Sequence, residues 1–281
     1  MIGLCHGHYG YHDIAGIIGI DPNSVTWQAP GLNHNIWLTH FIYGGKDAYP
    51  LIDEWIETKA EEYWRTHVAM HTHDVQMSHG AVHQYRMYGL FPVGDTVRRG
   101  GYYHTDIETK KSWFREPWGG PDTELVRPLF VANLERRIAE MTRLANDPKA
   151  SLVEAFGRTK TREQQVPIID GLVNNEGQFQ VNVPKQGALE GLPDDVVVEV
   201  PAIVNQKGIQ PIHVGSLPPK IMLEHILPHW SEMEHTLLSL ETGGPLHTAV
   251  ERAGKPPDSL LRPGCDCFGE PAGHGGESGD G

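Results

Sequence analysis

Met1-Ile2-Gly3-Leu4-Cys5-His6-Gly7-His8-Tyr9-Gly10 is the stretch around which the chain is organised. It brings a thiol and two imidazoles close together, between glycines that let the backbone approach a ligand. Further along, Gly31-Leu32-Asn33-His34 places another histidine next to a glycine turn. A thiolate is a soft ligand and an imidazole a borderline one, so Cys5 with His34 suits a first-row divalent ion better than calcium or magnesium.

The separation of Cys5 and His34 in the sequence matches no structural zinc motif, because zinc fingers and ribbons use closely spaced ligand pairs. On the residues alone, a buried cysteine and a capping histidine are the favoured interpretation. If the two residues do bind a metal ion, they leave coordination positions open. Such an open shell would suit a substrate that chelates through two hydroxyl groups.

The composition of the chain excludes several classes of function. With 281 residues, 39% of them hydrophobic and a net charge of −13, it is typical of a globular protein that binds neither nucleic acid nor an anionic membrane surface. No apolar run approaches the length of a membrane-spanning helix, and the start lacks the basic segment of a signal peptide. Three cysteines are too few for a disulfide framework, so we expect reduced thiols and a cytoplasmic location.

The apolar pattern predicts an α+β fold in which helices predominate. Helical spacing predicts helices over residues 8–20, 47–67, 78–88, 122–146, 151–156 and 218–240, the last kinked at Pro228. Alternation predicts strands over residues 25–29, 35–43, 179–183 and 195–200, with the last two joined as a hairpin. The glycine- and aromatic-rich residues 91–120 are predicted to form a loop that lines a site or packs on the core. Residues 244–281, which contain Cys265 and Cys267, have the composition of a disordered tail.

Six stretches of the chain together resemble glycoside hydrolase family 4, the NAD- and metal-dependent glycosidases. They occur in the same order between Ile2 and about Gly243, and the likeness is greatest to the subgroup of α-glucosidases, α-glucuronidases and α-galacturonidases. In that subgroup the metal cysteine is followed by His-Gly, as Cys5 is here. The stretches are Cys5–Gly10, Gly31–Leu38, Ala48–Trp55, Pro92–Arg98, Glu116–Gly120 and Asp195–Ala202.

This resemblance implies a redox-assisted elimination, which departs from the usual pair of glycosidase carboxylates. In the family, NAD takes a hydride from sugar C3, a base removes the acidified C2 proton, and the glycosidic oxygen leaves. Water then adds and the hydride returns, while a metal ion, typically manganese, binds the C2 and C3 oxygens. The expected activity is hydrolysis of small-molecule α-glucosides or α-uronides, with the particular sugar left open.

The resemblance also implies roles for individual residues. Cys5 and His34 correspond to the metal ligands, and Asn33 to a substrate-binding residue. His6 corresponds to an acid–base or substrate-contact position. Asp170 corresponds to the base that removes the C2 proton, although from the sequence alone it could equally be a turn or cap residue before Gly171.

Two further polar residues lie in one of the family-like stretches, but the sequence assigns them no role. Asp95 and Arg98 could help to shape the pocket, but their spacing predicts no particular function. His67 and His71 lie four positions apart and lack the glutamate of a His-Glu-x-x-His zinc motif, so solvated helix-end histidines are the favoured interpretation.

The sequence departs from the family in having no Gly-x-Gly-x-x-Gly turn after a strand, so no residue is assigned to cofactor binding. Residues 1–243 are therefore expected to be the metal-, substrate- and dimer-forming C-terminal domain, without the Rossmann domain. Such a domain resembles the C-terminal domain of lactate and malate dehydrogenases, with long helices and a small antiparallel sheet. It should form a homo-oligomer and need a dinucleotide-binding partner domain. The alternatives are a non-catalytic dimerising or sugar-binding remnant with a vestigial metal site and, more weakly, a histidine-rich zinc hydrolase.

Overall fold

The computed structural model describes residues 2–5, 7–68, 74–103, 106–114, 126–158, 163–174 and 177–243. The chain divides into two units, Met1–Pro228 and His229–Gly281. The predicted tail lies outside the described residues. The observed combination of helices and antiparallel sheets confirms the predicted α+β class.

A six-stranded sheet forms the framework of the first unit. Its strands run in the order β6-β3-β2-β8-β7, and β9 pairs with β8 outside this path. All pairings between these strands are antiparallel. The strands are β2 Gly31–Leu32, β3 Asn35–Leu38, β6 Phe91–Val93, β7 Gly177–Pro184, β8 Val197–Asn205 and β9 Gly208–Pro211.

A second, three-stranded sheet corrects the prediction of one strand over residues 35–43. Strand β3 ends at Leu38, and β4 (His40–Tyr43) pairs instead with β1 (Val25–Gln28) and β5 (Lys46–Asp47). The backbone changes sheets at Thr39, whose N–H donates to the Gln28 carbonyl at 2.9 Å. Sequence alternation does not distinguish one long strand from two short strands that belong to different sheets.

Helices flank the sheets, and most begin and end near the predicted residues. The predicted helix over residues 47–67 is divided at Lys59 into α2 and α3, and Ser78 caps α4, which ends before Gly89. The prediction of a loop over residues 91–120 is wrong in its first part, which contains β6, a 3₁₀ helix at Gly94–Tyr103 and α5. The helices are α1 Gly7–Ile18, α2 Tyr49–Thr58, α3 Ala60–Thr66, α4 His79–Tyr88, α5 Ile107–Phe114, α6 Val126–Ala145, α7 Leu152–Phe156, α8 Gln165–Val173, α9 Pro219–Ile221 and α10 Leu227–Thr242.

The last predicted helix contains an irregularity just ahead of the predicted kink. Residues Met222–Ile226 form a π-helical turn between α9 and α10. Pro228 comes two residues after this turn and has no N–H to donate to it. A carbonyl in this turn, that of His225, accepts a hydrogen bond from the Asn35 side chain at 2.9 Å. The regular α-helical hydrogen-bond pattern is thus interrupted over a whole turn before the proline.

The main core lies between α1, α2, α4 and the strands near the chain start. Apolar side chains including Ile14, Leu38 and Phe91 are almost fully inaccessible to solvent. Gly31 allows the β2–β3 hairpin to close, because a Cβ atom there would lie 2.0 Å from the Asn35 carbonyl oxygen. No helix among the described residues combines the length and the apolar content needed to cross a bilayer.

Helix α6 carries an exposed apolar stripe along its length. Phe130, Leu134, Ile138 and Met141 are 58%, 44%, 55% and 57% exposed and recur at helical spacing. A stripe of this kind on a long helix is a typical self-association surface. It is consistent with the predicted homo-oligomer, which stays a prediction.

Substitution of both Leu134 and Ile138 by lysine is expected to reduce self-association, because it places charges in the middle of the stripe. Multi-angle light scattering should show a smaller species than the wild type at equal concentration. Lysines at Ala132 and Ala139, exposed positions on the same helix, add the same charge away from the stripe and should leave the mass unchanged. A wild-type chain that is already monomeric would contradict the prediction.

Candidate metal and substrate site

Cys5 is held close to the six-stranded sheet by the residues on either side of it. Gly3 pairs with Asn182 of β7 through two backbone hydrogen bonds of 2.9 Å, so the chain start extends the sheet at this edge. Helix α1 begins at Gly7, and the ring of His8 contacts the Cys5 carbonyl oxygen at 3.1 Å. Cys5 therefore lies between a strand-like segment and a helix N-terminus, with its thiol partly exposed.

His34 occupies the tip of the tight β2–β3 hairpin. Leu32 pairs with Asn35, so Asn33 and His34 form a two-residue turn between them. His34 has a φ of 57°, in the left-handed region that non-glycine residues rarely adopt. Such a conformation persists only where surrounding contacts enforce it, and it is commonly found at functional sites.

Asp95 follows β6 in a turn that is fixed by a buried glutamine. The side chain of Gln76 accepts from the Gly94 N–H at 2.7 Å and donates to the Pro92 carbonyl at 2.6 Å. The next residue, Thr96, is fully buried, and its hydroxyl accepts from the Ile36 N–H at 2.7 Å. Thr96 thereby joins the Asp95 turn to β3, two residues beyond His34.

These three elements bring Cys5, His34 and Asp95 together. One ligand atom from each, the thiol sulfur, an imidazole nitrogen and a carboxylate oxygen, lies within 4.8 Å of the other two. His34 Nε2 and Asp95 Oδ2 are 3.3 Å apart. Ligand atoms bound about 2.2 Å from one ion lie about 3.1 to 3.6 Å apart at right or tetrahedral angles. The His34–Asp95 distance lies in this range, and together with Cys5 the two side chains form a candidate site for one divalent ion with coordination positions left for a substrate.

Replacement of Thr96 by valine is expected to weaken metal binding by disturbing the Asp95 turn. The change leaves the buried Ile36 N–H without its acceptor, at a cost of about 1–3 kcal/mol. We expect the Mn²⁺ affinity to fall about tenfold, as for other residues that orient metal ligands. The aqueous Mn²⁺ signal in electron paramagnetic resonance measures the affinity. The Thr96→Ser variant retains the acceptor oxygen and should bind like the wild type, so equal affinities of the two variants would contradict this role.

A buried glutamate, Glu199, lies beside this group on β8. It is 1% exposed, and it pairs across the sheet with Gly31 on one side and Asn182 on the other. The pKa of the Glu199 carboxyl is raised to about 7, mainly by burial and to a smaller extent by the negative charge of Asp95, while hydrogen bonds from neighbouring amides oppose the increase. Sequence reasoning missed Glu199, although a single acid among the valines of a buried strand was the signal that could have revealed it.

Arg98 contributes the opposite charge to the site. Its Nη1 lies 3.5 Å from Asp95 Oδ1, and both side chains are largely buried. The guanidinium is charged at all ordinary pH values and favours the ionised form of a neighbouring carboxylate. A carboxylate that is both ionised and partly shielded from solvent is suited to bind a cation or accept a proton.

Of the other predicted site residues, the structure places Asn33 beside the group and leaves His6 undescribed. Asn33 is exposed beside His34, with its amide nitrogen 3.5 Å from Glu199 Oε2. His6 lies outside the described residues. His67 pairs with Asp74 at 2.8 Å, and its predicted neighbour His71 is also outside the described residues.

Asp170 is not a member of the metal-binding group among the described residues. It lies on α8 with its side chain exposed, and it accepts a hydrogen bond from Asn174 at 2.9 Å. The adjacent Gly171 packs on Val204 of β8. Val204 lies five positions along β8 from Glu199, which corresponds to about 17 Å. The sequence interpretation of a turn or cap residue is wrong, because Asp170 lies within a helix.

Comparison with known proteins shows the family to which this chain belongs. The model of the family 4 glycosyl hydrolase C-terminal domain matches residues 29–245. The chain is 25% identical to the α-galacturonidase of Lachnoclostridium phytofermentans over 259 residues, which cover 84% of this chain and 52% of that protein. The chain spans about half the length of such curated relatives.

Solved structures show the same fold. LplD of Bacillus subtilis, which is named as a glucosidase, superposes with a TM-score of 0.65 at 23% identity and covers 92% of this chain and 60% of that one. A 6-phospho-α-glucosidase from gut microorganisms, solved in complex with NAD and Mn²⁺, has a TM-score of 0.61 at 17% identity, covering 88% of this chain and 53% of that one.

The fold and the family model together define the C-terminal domain of a glycosyl hydrolase. The chain belongs to family 4 of the glycosyl hydrolases, as the six family-like stretches predicted. Within the matched range lie His34, Asp95 and Asp170, whereas Cys5 precedes it.

Proposed function

We propose that this chain is the metal- and substrate-binding part of a glycoside hydrolase that acts on α-glucosides or α-uronides. The observation that carries the proposal is the convergence of Cys5, His34 and Asp95 within 4.8 Å in a member of this family. A soft thiolate, an imidazole and a carboxylate together favour a borderline divalent ion, and the ion proposed here is Mn²⁺. When bound, it supplies a Lewis acid that polarises the sugar oxygens beside the bond to be cleaved.

The proposal assigns a role to each residue of the site. Cys5, His34 and Asp95 hold the ion and thereby set the position of the sugar ring. Asn33, exposed beside His34, contacts a sugar hydroxyl. Arg98, whose Nη1 lies 3.5 Å from Asp95 Oδ1, brings a positive charge beside this carboxylate.

The proton-transfer roles implied by the family resemblance remain proposals for His6 and Asp170. The geometry adds Asp95 as a second candidate for the C2 base, because its carboxylate lies at the metal group. A general base must come within hydrogen-bond reach of the proton that it removes. Asp170 would need to approach the group from α8 to meet this requirement.

The described residues do not provide a Rossmann site for NAD. All ladders between their named strands are antiparallel, whereas the dinucleotide fold needs parallel strands joined by helices. The proposal therefore places NAD on a separate dinucleotide-binding domain, and no step of the mechanism is derived through it.

Turnover of an aryl α-glycoside tests the proposed activity. The chain is combined with a dinucleotide-binding domain of the family, NAD, Mn²⁺ and a reducing agent, and release of the phenol is followed. We expect turnover that is lost when the dinucleotide-binding domain, NAD or Mn²⁺ is omitted. A folded chain that binds Mn²⁺ without turnover supports the non-catalytic alternative, and NAD-independent turnover with zinc alone supports an unrelated zinc hydrolase.

Two asparagine variants separate the candidate bases. If Asp95 only holds the ion, Asp95→Asn should weaken Mn²⁺ binding, and its activity should recover at high Mn²⁺ concentration. If Asp95 is the base, activity should stay low even when Mn²⁺ is saturating. If Asp170 is the base, Asp170→Asn should lose activity and still bind Mn²⁺ like the wild type; retained activity would exclude Asp170 as the base.

A further inference from the structure

The burial of Glu199 needs an explanation that folding alone does not provide. A carboxyl group with 1% exposure loses its hydration, and removing a charge from water costs several kcal/mol. No cation pairs with it among the contacts that the structure describes. Its neighbours are instead the side-chain amides of Asn33, Gln180 and Asn182. An apolar residue would fill the same position in the sheet at lower cost, so the acid has another use.

The surroundings of Glu199 are shaped to accept its carboxylate. A Cβ atom on Gly7 would lie 2.4 Å from Glu199 Oε1, so only glycine leaves room for the carboxylate beside the start of α1. The N-terminus of a helix favours negative charge. The side-chain N–H group of Gln180 donates to the Ala29 carbonyl at 2.8 Å and to Oε1 at 3.5 Å. Among the described residues, the side-chain oxygens of Gln180 and Asn182 are buried without a hydrogen-bond partner, while both side chains form hydrogen bonds to the carboxyl group.

The second carboxylate oxygen reaches the turn that carries the metal ligand His34. Asn33 Nδ2 lies 3.5 Å from Glu199 Oε2, across 166 positions of sequence. An amide whose NH₂ group is turned toward a carboxylate presents its oxygen in the other direction. Because Asn33 is exposed, that oxygen is available to accept a hydrogen bond from a ligand.

We propose that Glu199 is a positioning residue that acts through Asn33. It holds the Asn33 amide with its oxygen outward and thereby fixes the strained Asn33–His34 turn beside the metal site. The turn then offers an acceptor next to the metal ion, which selects a ligand that donates a hydroxyl hydrogen, such as a sugar diol, over an anionic oxygen at that position. This role deepens the proposed function and rests on it.

A double-mutant cycle in Mn²⁺ affinity tests the proposal without a need for activity. Glu199→Gln keeps the shape of the side chain but has one acceptor oxygen for three amide donors, and Asn33→Ala removes the amide of that residue. Each single variant is expected to bind Mn²⁺ about tenfold more weakly than wild type, as for other residues that orient metal ligands. The double variant should bind no more weakly than either single variant, because both changes break the same link. Glu190→Gln makes the same chemical change at an exposed position and should bind like wild type.

Each other outcome has a definite meaning. Additive losses would show that Glu199 acts on the ion by its charge alone, and an unchanged affinity of Glu199→Gln would show that it does not act on the site; either result overturns the proposal. A lower melting temperature of Glu199→Gln at pH 8, together with weaker binding, would assign Glu199 a structural role and would also overturn it. Absence of Mn²⁺ binding by the folded wild-type chain is a different result, since it rejects the metal site of the proposed function itself.

Discussion

Substitution of Cys5 by serine or of His34 by alanine is expected to abolish Mn²⁺ binding, with a loss of more than about 100-fold in affinity. Residues that merely orient metal ligands cost about 10- to 100-fold, and removal of a ligand should exceed that range. Cys5 and His34 supply two of the three donor atoms that lie within 4.8 Å of one another. Each single substitution leaves only two of the three protein donors, and a serine hydroxyl does not replace a soft thiolate as a ligand for a borderline divalent ion.

Electron paramagnetic resonance of aqueous Mn²⁺ measures this loss, and circular dichroism confirms that each variant is folded. Cys267→Ser is the matched control, because it makes the same substitution in the glycine-rich C-terminal sequence. An affinity of Cys5→Ser equal to that of wild type would show that the thiol is not a ligand. The measurement needs a reducing agent, because only the thiolate binds the metal and oxidation removes it.

Glu199→Gln is expected to stabilise the metal-free chain at pH 8 and to have little effect at pH 5. Burial raises the pKa of Glu199 to about 7 in the folded chain, above its ordinary value of 4.5. Between these values the folded state holds a proton that the unfolded state has lost, so the stability of the wild type falls as the pH rises from about 5 to 7. Above that range both states are ionised and the loss is complete. The difference in pKa corresponds to about 3 kcal/mol.

Urea denaturation at several pH values, in the presence of a chelator, measures this effect as the difference between wild type and variant. The difference should be small at pH 5 and should grow to about 3 kcal/mol in favour of Glu199→Gln at pH 8. The exposed Glu190→Gln variant should show no such trend. A difference that does not change with pH would mean that Glu199 is not held in a raised-pKa environment. Together with weaker Mn²⁺ binding, greater stability would be the signature of a residue retained for function rather than for folding.

Local sequence pattern predicted many elements because their causes are local. Helix α4 was expected to end at Gly89, and it does, since that glycine has a φ of 78°. The hairpin of β7 and β8 follows from alternation on each side of a turn-rich loop. The division of residues 35–43 between two sheets was not predictable, because both half-strands are rich in residues that favour strands and only their hydrogen-bond partners differ.

The candidate site shows the same distinction between local and distant causes. Cys5 and His34 were identified from their chemistry and from family-like stretches that extend over a few neighbouring residues. Asp95 was noticed without a role, because its spacing to His34 says nothing about their distance in space. The Thr96–Ile36 hydrogen bond of 2.7 Å and the pairing of β3 with β6 bring the two together. Asp170 was chosen from a local stretch, and its role stays a prediction; the structure places it on helix α8 with its side chain exposed.

The sequence by itself determined the class of fold, the family and the donor chemistry of Cys5 and His34, because each depends on residue types and their local order. Only the tertiary structure decided which carboxylates accompany these donors. Asp95 joins the metal group through the pairing of β6 with β3, and Glu199 lies beneath Asn33 because β8 pairs with β2 at Gly31. Contacts across many positions of sequence depend on sheet register, and no local pattern of residues specifies that register.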